Sequence, residues 1–530
     1  MRTKTVARLP WLMFAASGGM LAASFPPLDW TWLAWVALVP GIWAATRLAT
    51  MRRVVVGGLL CGAVFWWCSI FWLTRVTVAG WFGLSLYCGL YFIPFFAGIN
   101  WWHRRFGFAR SRYNVLLMLL GVVLWTGFEY SRSRLFTGFG WNTLGTCLYK
   151  EIPVLQAARL GGVFLLSGLI IWMNLGIAVS LLRYAACRGR PVLRWHPEFM
   201  LAILAWALAF AFGTRLLLRE SAGEESVRIA LIQPNIPQDQ KWFYGEVTPE
   251  AYYAYCSNIY TRLYSLTREV MLQPDVDLAV WPETAVPDDI LTSEASYNLV
   301  YALVTNGVPL LMGSMDTEYL DNGGYRFFNS SFLFATNGIA VTRYDKQHLV
   351  MFGEYVPLAD EIPFVSAMTP IQESFSAGTE ATLFYVGDSG VAFAVLICFE
   401  DTVGPLARKA VRRGARLLIN QTNDAWFDPL SGSKQHLTHS VLRAVENGVP
   451  VARAANTGVS AVIDRFGRVR DAVRAENRTT MVAGTVIADV PVPTQDMSLT
   501  PYTRGNDRIW QAFAIAGWCF AAGLFFVGRR

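Results

Sequence analysis

Three short stretches of this 530-residue chain carry side chains able to do nucleophilic chemistry. The first is Val395-Leu396-Ile397-Cys398-Phe399-Glu400-Asp401, an apolar strand that ends in a cysteine and then two acids before a helical pattern. A thiol at such a junction is placed for attack, because backbone N–H groups at a helix start lower its pKa and hold an oxyanion. Taken alone, a cysteine in an apolar strand reads more readily as a core residue. The second stretch is Ala279-Val280-Trp281-Pro282-Glu283-Thr284, a buried strand running into an acid, with proline enforcing an extended exit. A free thiol with a pKa of about 8.5 is only a few per cent thiolate at neutral pH, so a carboxylate within reach serves as its base. Alone, Glu283 reads equally well as a helix cap. The third stretch runs from Tyr344-Asp345-Lys346-Gln347-His348 through Phe352-Gly353-Glu354 to Pro357. Lys346 is able to hold the oxyanion of a tetrahedral intermediate, and neighbouring carboxylates keep it protonated. Alone, it is a surface lysine.

The three stretches occur in one region, in a fixed order, each after a strand. In this the chain resembles the nitrilase superfamily, whose members use a Glu-Lys-Cys triad on an α-β-β-α sandwich. Apolar spans on both sides of that region make it similar to one branch, the apolipoprotein N-acyltransferases of bacterial lipoprotein maturation. The resemblance covers nearly the whole chain. It rests on Gln233-Pro234-Asn235-Ile236-Pro237-Gln238 with Trp242, Trp281-Pro282-Glu283, Lys346 with His348-Leu349-Val350 and Phe352-Gly353-Glu354, Cys398 with Glu400, Asn423-Asp424-Ala425-Trp426-Phe427, and Thr500-Pro501-Tyr502. It departs from the family at Met351, where proline is usual, at Phe399, where tyrosine is frequent, and at Asp428, where glycine usually follows the Trp-Phe pair. The Phe399 departure removes a hydroxyl beside the nucleophile.

The resemblance implies that Glu283 is the general base, Lys346 the transition-state stabiliser and Cys398 the nucleophile. Glu354 would be a second carboxylate supporting the site, with Glu400 also supporting and Trp242 near the lipid substrate. The implied reaction moves an acyl chain from a phospholipid, with phosphatidylethanolamine the suggested donor, through a Cys398 thioester to the α-amine of a diacylglyceryl-cysteine lipoprotein. It needs no cofactor and no metal. The alternative is a membrane-tethered amidase or nitrile hydrolase with water as acceptor, but a tether needs one helix and leaves the others unexplained. A transporter or receptor would place charges deep inside its spans, and the spans show almost none.

Those side chains must be positioned by an α/β domain. From about residue 227 to 490 the pattern is one of short β-branched runs separated by turns and amphipathic helices. Strands are expected at 227–231, 278–281, 309–312, 329–334, 391–397, 416–419, 451–454 and 460–463, and helices at 249–272, 293–306, 402–413 and 434–448. The segment 220–226 reads as a linker. An apolar stretch through Phe352, Tyr355, Ile362, Phe364, Val365, Met368 and Phe375 reads as a lid dipping into the membrane interface.

Composition explains the remainder. The chain is 54% hydrophobic and only 16% charged, with a formal charge of +7. Soluble globular proteins carry roughly 25% charged residues, so neither a disordered chain nor a disulfide-stapled miniature fits. Residues 1–219 hold 21 Lys/Arg against four acids, whereas residues 220–508 hold 22 against 34. Neither half looks like a nucleic-acid binder. Apolar stretches at 9–25, 30–46, 54–73, 81–102, 114–128, 161–182 and 198–214, with one more at 509–528, predict a bundle of about eight membrane spans. The stretch 114–128 is short for the roughly 20 residues that ~30 Å of hydrocarbon requires. With the N-terminus inside, 16 basic residues face inward and seven outward, which predicts a multi-pass protein of the bacterial inner membrane with its 227–490 domain on the periplasmic side. Trp30, Trp32, Trp66, Trp67, Trp101 and Trp102 read as interfacial anchors, and Asn174 as helix-helix glue. A monomer is expected.

Of eight cysteines only Cys256 and Cys398 fall in the α/β region, with no spacing that suggests a disulfide framework. His436 and His439, three apart on one helical pattern, read as polar packing rather than metal ligands.

Overall fold

Apolar runs too long for strands become helices in the computed structural model, which describes residues 2–187, 196–219, 225–237, 248–273, 275–356, 374–387, 389–427, 431–496 and 498–527. The chain divides into two units, Met1–Glu220 with Arg504–Arg530, and Ser221–Thr503. Among the described residues of the first unit, five helical stretches are long and apolar enough to cross a membrane: Met51–Ser69, Val78–Phe106, Ser111–Arg132, Val163–Ala186 and Pro197–Leu218. Helices at Arg2–Ala23 and Arg508–Val527 coincide with the first and last expected spans. The stretch that looked short, 114–128, lies inside a 22-residue helix whose ends carry Arg112, Glu129 and Arg132.

The expected span at 30–46 is different. It forms a 3-10 turn, Thr31–Trp35, followed by a helix of only nine residues, Val39–Arg47. Pro40, with no N–H to donate, suits the first turn of a new helix and not the middle of an old one. Asn174 satisfies the backbone groups released by this break. Its Nδ2 donates to the Ala34 carbonyl at 2.7 Å and its Oδ1 accepts from the Leu38 amide at 2.8 Å. A backbone break away from water survives only where such partners exist. Charges also enter this unit at helix ends, paired: Glu198, fully buried, meets Arg183 at 3.1 Å and accepts from Asn114 Nδ2 at 2.7 Å.

The second unit is built from two six-stranded sheets. Its strands are β1 (Glu225–Gln233), β2 (Leu278–Val280), β3 (Leu310–Tyr319), β4 (Tyr325–Phe334), β5 (Ala340–Asp345), β6 (Phe384–Val386), β7 (Val391–Ile397), β8 (Leu417–Thr422), β9 (Val451–Ala455), β10 (Ala461–Ile463), β11 (Val469–Ala472) and β12 (Gly484–Val492). The orders are β12-β1-β2-β3-β4-β5 and β11-β10-β9-β8-β7-β6. Strands β1-β2-β3 and β7-β8-β9 run parallel, and the flanking pairs are antiparallel.

Side-chain alternation stacks the layers. Ile229 and Leu231 of β1 join Val395, Ile397, Leu417 and Ile419 of the other sheet in one core, while Ala230 and Ile232 turn the opposite way onto Ile259, Leu263, Val300 and Leu303 of the helices Pro249–Met271 and Glu294–Val304. Helices Gly404–Arg412 and Gly432–Asn447 belong with the second sheet, completing the α-β-β-α sandwich. Residues Glu225 and Ser226 of the expected linker belong to β1; 220–224 lie outside the described residues.

Candidate active site

Glu283, Lys346 and Cys398 each lie just past the end of a strand. β2 stops at Val280, so Trp281-Pro282 deliver Glu283; β5 stops at Asp345 and Lys346 follows; β7 stops at Ile397 and Cys398 follows. Carboxyl ends of parallel strands are where α/β folds gather reacting groups. Cys398 is held at φ +53°, a left-handed conformation that a residue with a Cβ adopts at a cost of roughly 1–2 kcal/mol. It opens the 3-10 turn Cys398–Thr402, which turns the chain sharply away, and the residue as a whole is half-buried.

Lys346 is buried, with 1% of its surface exposed. Its Nζ lies 2.7 Å from Glu354 Oε1 and 3.5 Å from Glu283 Oε1. Asn329, from β4, donates through Nδ2 to both acids, at 2.8 Å to Glu283 and 3.2 Å to Glu354. Glu283 Oε2 accepts from the Asn423 amide at 2.8 Å, a bond that joins the two sheets, and Glu354 Oε2 accepts from the Val350 amide at 2.9 Å. Gly313 of β3 makes room for Glu283. A Cβ there would sit 2.7 Å from Glu283 Cα and 2.7 Å from the Pro282 carbonyl, both backbone atoms.

Electrostatics separate the roles. Burial works against the charge on Lys346, but Glu354 and Glu283 outweigh it and lift the lysine above its ordinary range. It is a permanent cation. Removal from water, and then the Glu283 charge, push the Cys398 thiol well up, against the opposing pull of Lys346 and a Thr422 side-chain hydrogen bond. The resting thiol is therefore neutral. A neutral thiol that attacks must lose its proton as the bond forms; Glu283, 3.5 Å from Lys346 Nζ, is the carboxylate whose charge acts most strongly on the thiol.

Glu400 is fully buried and accepts from the amides of Ile397 (2.8 Å), Gln347 (2.7 Å) and His348 (3.0 Å) and from the Tyr344 hydroxyl. One carboxylate thus ties the strand end carrying Cys398 to the segment carrying Lys346. The ring of Phe399 stacks parallel to His348, with centroids 6.1 Å apart, in the place where a tyrosine would bring a hydroxyl. Trp242, Asp428 and the lid residues Ile362, Phe364, Val365 and Met368 lie outside the described residues. Phe352 and Phe375 are described. Phe352 is exposed and held at φ +62°, and the Phe375 amide bonds the Glu354 carbonyl at 2.8 Å.

The sequence assigns no role to Asn329 or Thr422 and shows Asn423 only as part of a motif, while His436, read as polar packing, is found buried among polar partners. Polar residues in otherwise apolar strands, such as Asn329-Ser330-Ser331 and Asn420-Gln421-Thr422, were the available signal, since buried polar groups need partners. His436 is fully buried between two aspartates, Nδ1 2.8 Å from Asp424 and Nε2 3.0 Å from Asp401.

Residues 17–176 match the apolipoprotein N-acyltransferase N-terminal domain and residues 228–495 match the carbon-nitrogen hydrolase family. The chain is 34% identical over 478 residues to apolipoprotein N-acyltransferase of Geobacter metallireducens, covering 88% of this chain and 87% of that one. It is 28% identical to the protein of the same name from Photobacterium profundum, over 100% of this chain and 98% of the relative. Among solved structures, Saccharomyces cerevisiae Nit3, a member of branch 10 of the nitrilase superfamily, aligns with a TM-score of 0.37 and 19% identity over 51% of this chain and 93% of its own. With a membrane-capable helical unit, a two-sheet sandwich and relatives matched along most of their length, the chain belongs to the apolipoprotein N-acyltransferase family.

Proposed function

We propose that this acyltransferase moves an acyl chain from a phospholipid to the N-terminal α-amine of a diacylated lipoprotein through a thioester on Cys398. The observation that carries the reading is Lys346, buried and held between Glu354 and Glu283, at the strand ends where Cys398 presents its thiol.

In the first half-reaction Cys398 Sγ attacks the ester carbonyl carbon while its proton passes to Glu283. Lys346 and backbone N–H groups hold the oxyanion. Collapse breaks the acyl C–O bond; the lysophospholipid leaves with the proton from Glu283, and the thioester remains. In the second half-reaction the amine attacks the thioester and gives its proton to Glu283. The C–S bond breaks, and the thiolate takes that proton back, so no group is consumed. Glu354 holds the lysine throughout, and Glu400 positions the two segments.

Phosphatidylethanolamine is the proposed donor and a monomer the working unit. Trp242 is proposed to lie near the acyl chains. The excess of basic residues on one set of loops supports placing the catalytic unit on the periplasmic side of the inner membrane.

Incubation with phosphatidylethanolamine vesicles followed by peptide mass spectrometry tests the reading. A thioester-linked acyl mass on the Cys398 peptide, absent from Cys398→Ser, is expected. An adduct on another residue, full N-acylation by Cys398→Ser, or free fatty acid as the sole product overturns it, the last in favour of a hydrolase.

A further inference from the structure

The nucleophile rests on a buried cluster of charges that the triad does not include. Beneath Cys398, four ionisable side chains, Asp401, Asp424, His436 and Arg453, are at most 2% exposed, and each touches two of the others. Arg453 Nη1 lies 3.1 Å from Asp401 and its Nη2 lies 2.9 Å from Asp424. His436 spans the same two acids from the helix Gly432–Asn447. Ser440, one turn along that helix, donates to Asp401 Oδ2 at 2.6 Å, and Thr422 donates to Asp424 Oδ1 at 3.0 Å. Gly458 closes the other side, where a Cβ would sit 2.1 Å from Asp424 Oδ2.

The cluster reaches the backbone of the nucleophile at its carbonyl oxygen, and Thr422, which bonds Asp424, also meets its thiol. The carbonyl oxygen of Cys398 lies 3.3 Å from His436 Nε2 and accepts from Asn420 Nδ2 at 3.2 Å. Asn420 also donates to the Leu396 carbonyl at 3.0 Å, and its own Oδ1 accepts from Arg453 at 2.5 Å. The amide of Asn420 is therefore locked in orientation by the arginine that pairs with both aspartates. Oxygen acceptors face both ring nitrogens of His436, the Asp424 carboxylate at Nδ1 and the Asp401 carboxylate with the Cys398 carbonyl at Nε2, so the ring satisfies them only with a hydrogen on each nitrogen. Two cations against two anions leave the cluster neutral, which permits its burial. A residue held in the left-handed region stays there only if its surroundings over-determine it. The two bonds to the Cys398 carbonyl are such a constraint.

We propose that His436 is a positioning residue for the acyl transfer: together with Asn420 it clamps the Cys398 carbonyl, and Asp401, Asp424 and Arg453 hold its imidazole in place. The inference rests on the reading of Cys398 as the nucleophile. His436 itself touches no substrate. Its effect passes through the backbone that aims Sγ at the acyl carbon between Lys346 and Glu283, and misplacing a reacting atom by about 1 Å costs as much as 10²-fold in rate.

The test uses the full-length protein in detergent with phosphatidylethanolamine, comparing His436→Gln, Asp401→Asn, Cys398→Ser and the core control Val445→Ala from the same helix. Single-turnover thioester formation, KM for phospholipid and the apparent unfolding midpoint are measured on each. His436→Gln is expected to slow thioester formation about 10²-fold with KM unchanged, a loss well beyond that of Val445→Ala at an equal drop in midpoint. A wild-type rate, or a loss no greater than that of the control, overturns the proposal. Where His436→Gln does not fold, Asp401→Asn, which keeps the shape but unbalances the cluster, carries the same expectation at tenfold or more; a wild-type rate there overturns it equally. Cys398→Ser separates the two readings. If it retains N-acylation, the nucleophile reading has failed; if it is inactive while His436→Gln is normal, the positioning role alone has.

Discussion

Glu354 holds the Lys346 ammonium at 2.7 Å, and in the proposed mechanism this ion pair leaves Glu283 to move protons. Glu283 stands 3.5 Å from the same ammonium and is oriented by Asn329 on one oxygen and the Asn423 amide on the other. One carboxylate neutralises the lysine while the other stays available to the thiol. Were both equally bound to Lys346, the base would have to break an ion pair before each transfer.

Replacing Glu354 by glutamine removes that division of labour. Lys346 then has Glu283 as its only carboxylate partner of the two, and the base is tied to the cation. Thioester formation in Glu354→Gln is expected to fall by about 10²- to 10³-fold, the scale of losing one preorganised charge in an active site, with part of the rate regained in Glu354→Asp. Single-turnover kinetics check it; an unchanged rate in Glu354→Gln contradicts the assignment.

Glu400→Gln should act on structure and rate together. An amide at this position puts an NH₂ against donors that an anion had satisfied, since Ile397, Gln347, His348 and Tyr344 all donate there. Buried unsatisfied donors cost about 1–3 kcal/mol, which lowers the apparent unfolding midpoint by several degrees. Thermal unfolding in detergent reads the first effect, and the initial rate reads the second. A variant with wild-type midpoint and rate would show that the bridge between the Cys398 and Lys346 segments is dispensable.

Gly313→Ala tests the packing behind the base. The added methyl meets the backbone at Glu283 Cα and the Pro282 carbonyl, neither of which can rotate aside. Glu283 must shift by a fraction of an ångström, and a rate loss of about tenfold or more is expected even where the protein accumulates normally. N-acylation by Gly313→Ala at the wild-type rate contradicts this.

Of the residues proposed for catalysis, Glu283 and Cys398 were legible in the sequence because each follows an apolar strand, where the local pattern is strongest, whereas Lys346 was legible only through its own motif. β7 runs from Val391 to Ile397, the bounds its β-branched run predicts. β5 went unread because Ala340–Asp345 mixes small and charged residues, and β6 is only three residues long. β11 is mostly exposed and shows no alternation, while β12 contains Asp489 and Pro491, which read as turn signals although Ala488, Val490 and Val492 face the core. The nine-residue helix at Val39–Arg47 was hidden in a continuous apolar run, where hydropathy alone does not register what Pro40 does to backbone bonding. What Asn329 and His436 pair with was out of reach for another reason. Their significance lies in partners 46 and 35 positions away, Glu283 and Asp401, and pairing across strands and helices is not a local pattern.

The cluster beneath Cys398 predicts how stability responds to pH. His436 faces Asp401, Asp424 and Arg453, with the Cys398 carbonyl beside it and His439 one turn along its own helix. Burial opposes its charge, yet the two aspartates raise it from the ordinary 6.5 to about 9, while burial pushes His439 down to about 3 and keeps that ring neutral. Asp401 and Asp424 are held below the usual carboxylate range, since the His436 and Arg453 charges overcome the burial that opposes them. A group raised on folding contributes stability fully present below its unfolded pKa and lost as pH rises through the folded one. For His436 that window runs from about 6.5 to 9, and a shift of this size corresponds to a contribution on the order of 3 kcal/mol. The aspartates, depressed on folding, contribute above an unfolded pKa of about 4 and lose that contribution as pH falls through their folded values. Protease resistance of the Ser221–Thr503 region within the full chain should therefore be greatest between about pH 4 and 6.5 and decline toward pH 9. In His436→Gln the alkaline decline should flatten, because no proton is left to lose at that position. An alkaline limb equally steep in the variant and the wild type would mean that His436 is neutral in the folded protein and that the cluster carries a net negative charge.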